Sequence, residues 1–287
     1  MVCDPTDPRT SAVTLAVAGF LDTCRSSNTR VAYQADLGHL EAWCRDDEPL
    51  DLLTIDAADL ARYRTACEAA GASPATVARR LSAVTSFGAF AAAHGAAPAL
   101  TGETSIARPT VESESTADLV SDADSDALLA AADRIGKRSA VLMRLLMLDG
   151  LKVGEVIRAD ASDVHGRPPR MKLSIQSRRP RTIDLHADTA FALRGYLGRR
   201  REGPLLLSER RGRPPGRLTR FGIDYLVKQV AHDAGLGQAI SGNTLRRRYV
   251  TAAHADGTDL DTIQRNTGHA EQRTTRRYLR ADASTRG

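Results

Sequence analysis

The chain has no long apolar run and few cysteines. A membrane-spanning helix needs about 18 or more consecutive apolar residues, and no such run is present, so a transmembrane helix is excluded. Asp4 and Asp7 stand where a secretory signal carries basic residues, so we expect a cytoplasmic protein. None of the cysteines has another cysteine or a histidine at zinc-ligand spacing, which predicts reduced thiols and no metal site. The cysteines are Cys3, Cys24, Cys44 and Cys67.

Lysine is scarce, although positive charge is not. The chain has 40 Lys and Arg residues against 35 Asp and Glu residues, a net charge of +5, and only four of the cations are lysines. Basic residues are concentrated in 166–181, 198–203, 209–220 and 245–250, all in the second half. One such cluster is typical of a solvated surface. Four of them in one region favour a surface that follows the phosphates of a nucleic acid.

Hydrophobic periodicity indicates two folded units joined by a linker. In the first unit, 1–95, apolar residues recur at helical spacing from Tyr33 to Cys44, with Ser27 or Asn28 as the helix cap. Residues 96–118 lose this periodicity and are rich in Pro, Ser, Thr and Glu, which predicts the linker.

The second unit, 119–287, is predicted to be helical with a small antiparallel sheet. Residues 170–176 and 181–185 have β character and are separated by a polar turn, which indicates a hairpin. Helical patterns stand on both sides of it. The fold class is therefore mainly α.

Common hydrolase motifs are absent: the chain has no G-x-S-x-G, no Walker loop and no HExxH. Instead, residues 243–280 read NTLRRRYVTAAHADGTDLDTIQRNTGHAEQRTTRRYLR. This segment resembles the second conserved box of the tyrosine recombinases, the phage integrase and Xer-like family. The positions in register are Leu245, Arg246, Thr251, Gly257, Asp259, Leu260, Ile263, Gln264, Gly268, His269, Thr274, Thr275 and Tyr278.

The resemblance covers nearly the whole chain. LMLDGLKVGEVIRADASDV is similar to the first box of the family, and the predicted hairpin occupies the place of the family's β-hairpin. NTRVAYQADLGHLEAWC and SPATVARRLSAVTSFGAF are similar to the family's helical core-binding domain. The implied fold is a SAM-like N-terminal domain and an α-rich catalytic domain that form a C-shaped clamp on DNA.

The resemblance also implies an activity and partners. Such proteins are site-specific recombinases (integrases) that cleave double-stranded DNA through a 3′-phosphotyrosine and then rejoin it. They need no metal and no cofactor, because the covalent linkage stores the energy of the bond. They act as homo-tetramers on DNA, in some systems with a partner recombinase, and no membrane is involved.

The resemblance assigns roles to individual residues. Tyr278 is the nucleophile, Arg246 holds the phosphate, and His269 binds oxygens and moves protons. Glu155 matches a supporting acidic residue, although a plain solvent-exposed glutamate fits the sequence as well. Candidate DNA-binding residues are Arg30, Arg79, Arg80, Arg247, Arg248, Arg273 and Arg276. Arg79 and Arg80 lie off the apolar stripe of their helix, where arginines most often face solvent.

Three catalytic positions depart from the family pattern. Lys152 replaces the first-box arginine, which keeps the charge but loses the bidentate fork. Asn243 replaces a histidine and cannot shuttle a proton. The hairpin turn holds Arg178 and Arg179 where the family has a general-acid lysine, and arginine is a poor acid. Lys172, which we place at the start of the preceding strand, is an alternative acid.

Three functions remain open from the sequence. The first is a working recombinase, in which Lys152 supplies both charge and proton. The second is a weakened or inactive recombinase-like protein that binds DNA as an architectural or regulatory subunit. The retained Tyr278, Arg246 and His269 favour the first. The third is an unrelated helix-turn-helix regulator, which leaves the linker, the hairpin and the terminal tyrosine motif unexplained.

Overall fold

The structure is a computed structural model, and it describes residues 8–24, 26–46, 50, 52–96, 120–177, 179–208, 214–237 and 240–283. The chain divides into two compact units after residue 112. Apart from residue 96, the predicted linker lies outside the described residues.

The described residues of the N-terminal unit form four helices: α1 (Pro8–Thr23), α2 (Ser27–Asp46), α3 (Ala57–Ala69) and α4 (Pro74–Ala93). Their apolar faces form one core, in which Leu40 and Tyr63 have no exposed surface. The predicted start of α4 is confirmed, because the Ser73 side chain accepts from the Thr76 amide. The cap of α2 is Ser26 and not Ser27 or Asn28 as predicted, since the Thr29 amide donates to Ser26 Oγ at 3.4 Å.

The helices of the second unit are α5 (Asp122–Ile135), α6 (Lys137–Met147), α7 (Val153–Arg158), α8 (Ala187–Leu197), α9 (Arg220–Asp233), α10 (Gly242–Ala255), α11 (Leu260–Thr267) and α12 (Gln272–Ala283). The central helix is α6, which buries residues on almost every side and packs against α5, α8 and α10. A helix apolar on all sides is stable only when surrounded by other elements. Helix α6 therefore forms the centre of the core of the second unit.

The strands of the second unit are β1 (Val164–Arg167), β2 (Arg170–Ile175), β3 (Arg181–Asp184), β4 (Leu207–Ser208) and β5 (Gly216–Arg217). The first three form an antiparallel sheet in the order β1-β2-β3, and β4 pairs with β5. The predicted hairpin corresponds to β2 and β3, with Ile175 opposite Arg181. The start of β3 lies next to the C-terminal end of α11, because Arg181 Nε donates to the Asn266 carbonyl.

The chain is mainly helical with small antiparallel sheets, as the sequence predicts. Within the described ranges, no helix has both the length and the apolar character required to cross a membrane.

Candidate active site

Three elements of the second-box segment bring the predicted residues together. Helix α10 starts after Ser241, whose side chain accepts from the Thr244 amide. Its first two turns carry Asn243, which is exposed, and Arg246, which is buried. Helix α11 ends at Gly268 in the left-handed conformation, so that His269 turns back toward α10 before α12 begins.

Arg246 is clamped between two separate parts of the chain. It is only 3% exposed, and its guanidinium donates to the carbonyl oxygens of Gly150 and Thr267. Burial lowers the pKa of Arg246 to about 10, which leaves the group charged at neutral pH. A guanidinium has five N–H donors, so others remain for a phosphate.

Gly150 allows the turn before α7 to lie close to Arg246. Its φ is +64°, and a Cβ atom there would lie 2.3 Å from Cδ1 of Tyr249. Only a residue without a side chain combines that backbone conformation with that contact. The Gly150 carbonyl is thereby held where Arg246 can donate to it.

His269 is buried beside the clamp and is 6% exposed. Its Nδ1 lies 2.9 Å from Thr275 Oγ1, a contact that fixes the ring. Burial, and then the charges of Arg246 and Lys152, lower the pKa of His269 to about 3. The ring is therefore neutral near pH 7, with one nitrogen that accepts and one that donates.

Tyr278 on α12 completes the cluster. Its hydroxyl donates to Oδ1 of Asn243 at 3.2 Å. Its ring centroid lies 5.5 Å from that of His269, and the rings are inclined by 55°. The structure therefore places the predicted nucleophile next to His269 and Asn243 of the same chain.

Lys152 enters the site from the turn before α7. Its Nζ donates to the Gly268 carbonyl at 3.1 Å, and its backbone amide donates to Glu155 Oε2 at 2.9 Å. Partial burial and then the charge of Arg246 lower the pKa of Lys152. An ammonium with a lowered pKa releases its proton more readily than an ordinary lysine.

Glu155 is buried and paired, not exposed. Arg181 donates to both of its carboxylate oxygens, at 2.8 and 3.0 Å. Burial alone would raise the pKa of Glu155, but the hydrogen bonds from Arg181 and from the Lys152 amide outweigh it and lower the pKa. The interpretation as a supporting residue fits this burial, and that of a solvent-exposed glutamate does not.

Arg181 is a site residue that the sequence did not indicate. It begins β3, and its Nε donates to the Asn266 carbonyl at 3.0 Å. Its partners are far away in sequence, so no local spacing could reveal them. Thr275 belonged to the matched motif, but no role had been assigned to it.

The hairpin residues are distributed differently from the prediction. Lys172 is the third residue of β2, since the strand begins at Arg170, and its Nζ pairs with Asp184 at 3.2 Å on the exposed sheet. It lies roughly 10 Å along the strand from Ile175, the last residue before the turn. Arg179 donates to the Ala270 carbonyl at 3.0 Å, next to His269. Arg178 lies outside the described residues.

In the N-terminal unit, two of the candidate DNA-binding arginines make internal contacts. Arg79 bonds to Asp36 at 2.7 Å, and this carboxylate is buried. Arg80 donates to Cys67 Sγ at 3.4 Å. Arg30 differs, because its side chain is half exposed and 3.5 Å from an exposed carboxylate.

In the second unit, the candidate DNA-binding arginines differ in exposure. Arg247 is 5% exposed, so most of its side chain is covered by the protein itself. Arg248 is mostly buried and pairs with Asp122. Arg273 and Arg276 on α12 are exposed and lie on the helix that carries the tyrosine.

The charges around His269 do not balance. Arg246, Lys152 and Arg181 act on it as cations, and Glu155 as an anion. An open groove of about 700 Å³ along β3 and α11 reaches Gly268 and His269. Among the described residues, no group of three or more His, Cys, Asp or Glu side chains could hold a metal ion. An anion is the ligand that such a site accommodates.

Family models match both units. The phage integrase family model matches residues 120–285, and the model of the phage integrase N-terminal SAM-like domain matches residues 20–95. The chain belongs to the phage integrase family of tyrosine recombinases.

Two relatives show the extent of the similarity. Tyrosine recombinase XerC of Mycobacterium sp. strain KMS is 30% identical over 273 residues, which cover 90% of this chain and 89% of the relative. Tyrosine recombinase XerD of Oceanobacillus iheyensis is 26% identical over 267 residues, which cover 88% and 87%. The similarity to these phage integrase family members therefore spans both units.

Solved structures of tyrosine recombinases share the fold. The XerH recombinase, bound to a palindromic difH substrate after cleavage, matches with a TM-score of 0.70 and 17% identity, over 99% of this chain and 96% of that one. A lambda integrase tetramer bound to a Holliday junction matches with a TM-score of 0.68 and 16% identity, over 94% and 76%.

Proposed function

We propose that the protein is a site-specific DNA recombinase that cleaves and rejoins strands through a 3′-phosphotyrosine, with Tyr278 as the nucleophile. The observation that carries the proposal is the arrangement around His269. The Tyr278 hydroxyl, the His269 ring and the buried Arg246 guanidinium form one site within one chain. A protein that only binds DNA has no need for that arrangement.

In the proposed cleavage step, the Tyr278 oxygen attacks the scissile phosphorus. A bond forms between the tyrosine oxygen and phosphorus, and the bond from phosphorus to the 5′-oxygen breaks. The phenolic proton passes to His269, whose low pKa is raised by the negative charge of the bound phosphate, and Lys152 gives a proton to the departing 5′-oxygen. In the rejoining step, a 5′-hydroxyl attacks the phosphotyrosine and the protons return.

The charges of the site match this reaction. A phosphodiester carries one negative charge and an attacking tyrosinate a second. Three cations and one carboxylate surround His269, so two positive charges are in excess. Because the cations are partly buried and already in place, they stabilise the developing charge without reorganisation.

Lys152 weakens the binding of the phosphate but improves the donation of a proton. Compared with the family's arginine, it loses a bidentate grip worth on the order of 3 kcal/mol of the barrier. Its lowered pKa, however, suits it to donate a proton, which an arginine cannot do. This supports an active recombinase that uses Lys152 in preference to a recombinase-like protein that has lost its activity.

The proposal extends to DNA binding and assembly. The exposed Arg30, Arg273 and Arg276 are the best supported backbone contacts among the candidates. We place the domains at 1–95 and 119–287 with a linker at 96–118. We also propose a cytoplasmic protein that forms a homo-tetramer on DNA, with a partner recombinase as an additional possibility.

The second candidate is a recombinase-like DNA-binding subunit without cleavage activity. The observation that favours it concerns the Tyr278 hydroxyl, which donates a hydrogen bond to Oδ1 of Asn243. An amide accepts this hydrogen bond but cannot remove the proton from the tyrosine. Both candidates bind DNA, but only the first forms a covalent adduct.

A covalent-adduct assay separates the two candidates. A duplex selected by the full chain from a random-sequence pool is nicked at successive positions and incubated with the protein. We expect an adduct on a denaturing gel that disappears with Tyr278→Phe and persists with Tyr225→Phe, an exposed tyrosine on α9. A specific gel shift without adduct at any protein excess would support the binding subunit.

A further inference from the structure

Arg181 pairs with Glu155 and lies beside Gly268, the two residues that hold Lys152. We propose that Arg181 is the positioning residue that directs the Lys152 ammonium at the scissile phosphate. This inference rests on the proposed recombinase activity and assigns a role to a residue outside the matched boxes.

The first contact runs through Glu155. The Arg181 side chain is 12% exposed and that of Glu155 is 2% exposed, and the two form a bidentate pair. Such a pair fixes both distance and orientation. Glu155 Oε2 also accepts from the Lys152 amide at 2.9 Å, so the pair determines where the Lys152 backbone lies.

The second contact runs through Gly268. A Cβ atom on Gly268 would lie 2.6 Å from an Arg181 guanidinium nitrogen, so the guanidinium occupies the space beside this glycine. Arg181 Nε also donates to the Asn266 carbonyl, two residues earlier. The Gly268 carbonyl is the acceptor of the Lys152 ammonium. Arg181 therefore fixes the anchor at each end of Lys152.

A lysine at this position needs external positioning more than an arginine does. Its ammonium is a point charge on a flexible stem with four carbons, whereas a guanidinium aligns itself on a phosphate through two parallel hydrogen bonds. A misplacement of about 1 Å at a reacting group can cost about 100-fold in rate. The Arg181 network supplies the orientation that the side chain lacks.

The alternative is a purely structural role, in which Arg181 only ties β3 to α7 and α11. Arg217 provides a matched control. Its guanidinium bonds to Asp160 and to the carbonyls of Ile157 and Ala159, at the other end of the same helix. It joins strand to helix in the same way but has no contact with Lys152.

The test uses the full chain and the nicked duplex selected by it. Adduct formation rate, duplex affinity and melting temperature are measured for wild type, Arg181→Met, Arg181→Lys and Arg217→Met, each across a range of pH. We expect the rate to fall about 100-fold for Arg181→Met with affinity within about threefold. Arg217→Met should lose comparable stability without that loss of rate.

The pH profile reports the charge that Arg181 places near Lys152, and Arg181→Lys separates that charge from positioning. Arg181 is one of the cations that lower the pKa of Lys152, so its removal raises that pKa. The upper pH limit of the reaction should therefore move to higher pH for Arg181→Met. For Arg181→Lys, which keeps the charge but not the bidentate pair, the rate should fall while the limit stays.

Each outcome either supports or overturns the proposal for Arg181. If Arg181→Met does not fold, Arg181→Lys and the neutral double variant Glu155→Gln, Arg181→Met carry the test. An active wild type with a normal rate in these variants overturns the Arg181 proposal alone, as does an equal rate loss in Arg217→Met. A wild type that binds the duplex but forms no adduct overturns the proposed function, and this inference with it.

Discussion

The Tyr278 hydroxyl donates to Oδ1 of Asn243 at 3.2 Å, across the gap between α12 and the first turn of α10. An amide oxygen can hold a phenol in place but cannot remove its proton. In the proposed reaction Asn243 therefore orients Tyr278, and proton removal falls to another group. His269 is the neighbour with a neutral ring nitrogen, and in the proposed reaction the negative charge of the bound phosphate raises its low pKa so that it can take the proton.

Replacing Asn243 should slow cleavage without affecting DNA binding. A hydrogen bond of this kind is worth about 1 kcal/mol, so Asn243→Ala should reduce the rate of adduct formation by roughly 5- to 10-fold. The measurement is a time course on the nicked duplex, with affinity from gel shifts as the control. A wild-type rate in Asn243→Ala would show that the contact does not position Tyr278.

Replacing Lys152 by arginine should separate its charge from its proton. Lys152→Arg keeps the charge but cannot protonate the 5′-oxygen, so the rate should fall at least about 10-fold on an ordinary duplex. With sulfur in place of the 5′-bridging oxygen, the leaving group needs no proton and the rate should recover. Lys172→Arg should behave as wild type on both substrates, because Lys172 pairs with Asp184 on the sheet. Increased activity of Lys152→Arg on the ordinary duplex would contradict the general-acid role.

Removing Arg246 should destabilise the fold as well as stop the reaction. Arg246→Met leaves the carbonyls of Gly150 and Thr267 buried without their donor, a loss of about 2–5 kcal/mol in the free energy of unfolding. Urea unfolding measures it. Arg273→Met is the control, since that side chain is 86% exposed and should change stability by no more than about 0.5 kcal/mol. Equal effects of the two substitutions would show that the hydrogen bonds from Arg246 to Gly150 and Thr267 do not stabilise the fold.

Asp149 should make stability depend on pH. Burial raises its pKa from 3.8 to about 7, while its Oδ1 accepts from the His186 amide. Between these values the folded state keeps a proton that the unfolded state has lost, so stability falls as pH rises from about 4 to 7. Asp149→Asn removes this dependence and should be more stable than wild type above pH 7, by at most roughly 4 kcal/mol.

Urea unfolding at several pH values checks the role of Asp149. The lowered pKa of His269 acts in the opposite direction, but it is common to both proteins and cancels in their difference. Asp184→Asn serves as control, because that carboxylate is 81% exposed. A difference between wild type and Asp149→Asn that stays constant with pH would refute the assignment.

Local sequence signals predicted much of the fold. The cap at Ser73 and the hairpin of β2 and β3 depend on neighbouring residues, and the structure contains both. Strand β1 was not predicted, since its sequence, VHGR, has no β pattern and its pairing comes from β2. Structure that depends on a distant partner leaves no local trace.

In the candidate site, too, contacts between residues far apart in sequence could not be predicted. The resemblance placed Arg246, His269 and Tyr278 in one cluster, and the structure brings them together. It gave no indication of Arg181, whose partner Glu155 stands 26 residues away. Arg79 was predicted on an outer helix face because periodicity cannot detect the buried Asp36 on the neighbouring helix.

The close fit of Gly150 against the Tyr249 ring has an evolutionary consequence. Any side chain at position 150 would collide with that ring, and the turn that presents a carbonyl to Arg246 would be lost. A descendant could lose the glycine only after the ring at 249 had been replaced by something smaller and the backbone at 150 had changed its conformation. The two positions should therefore vary together among homologues, and the order of their substitutions in a lineage should run from 249 to 150.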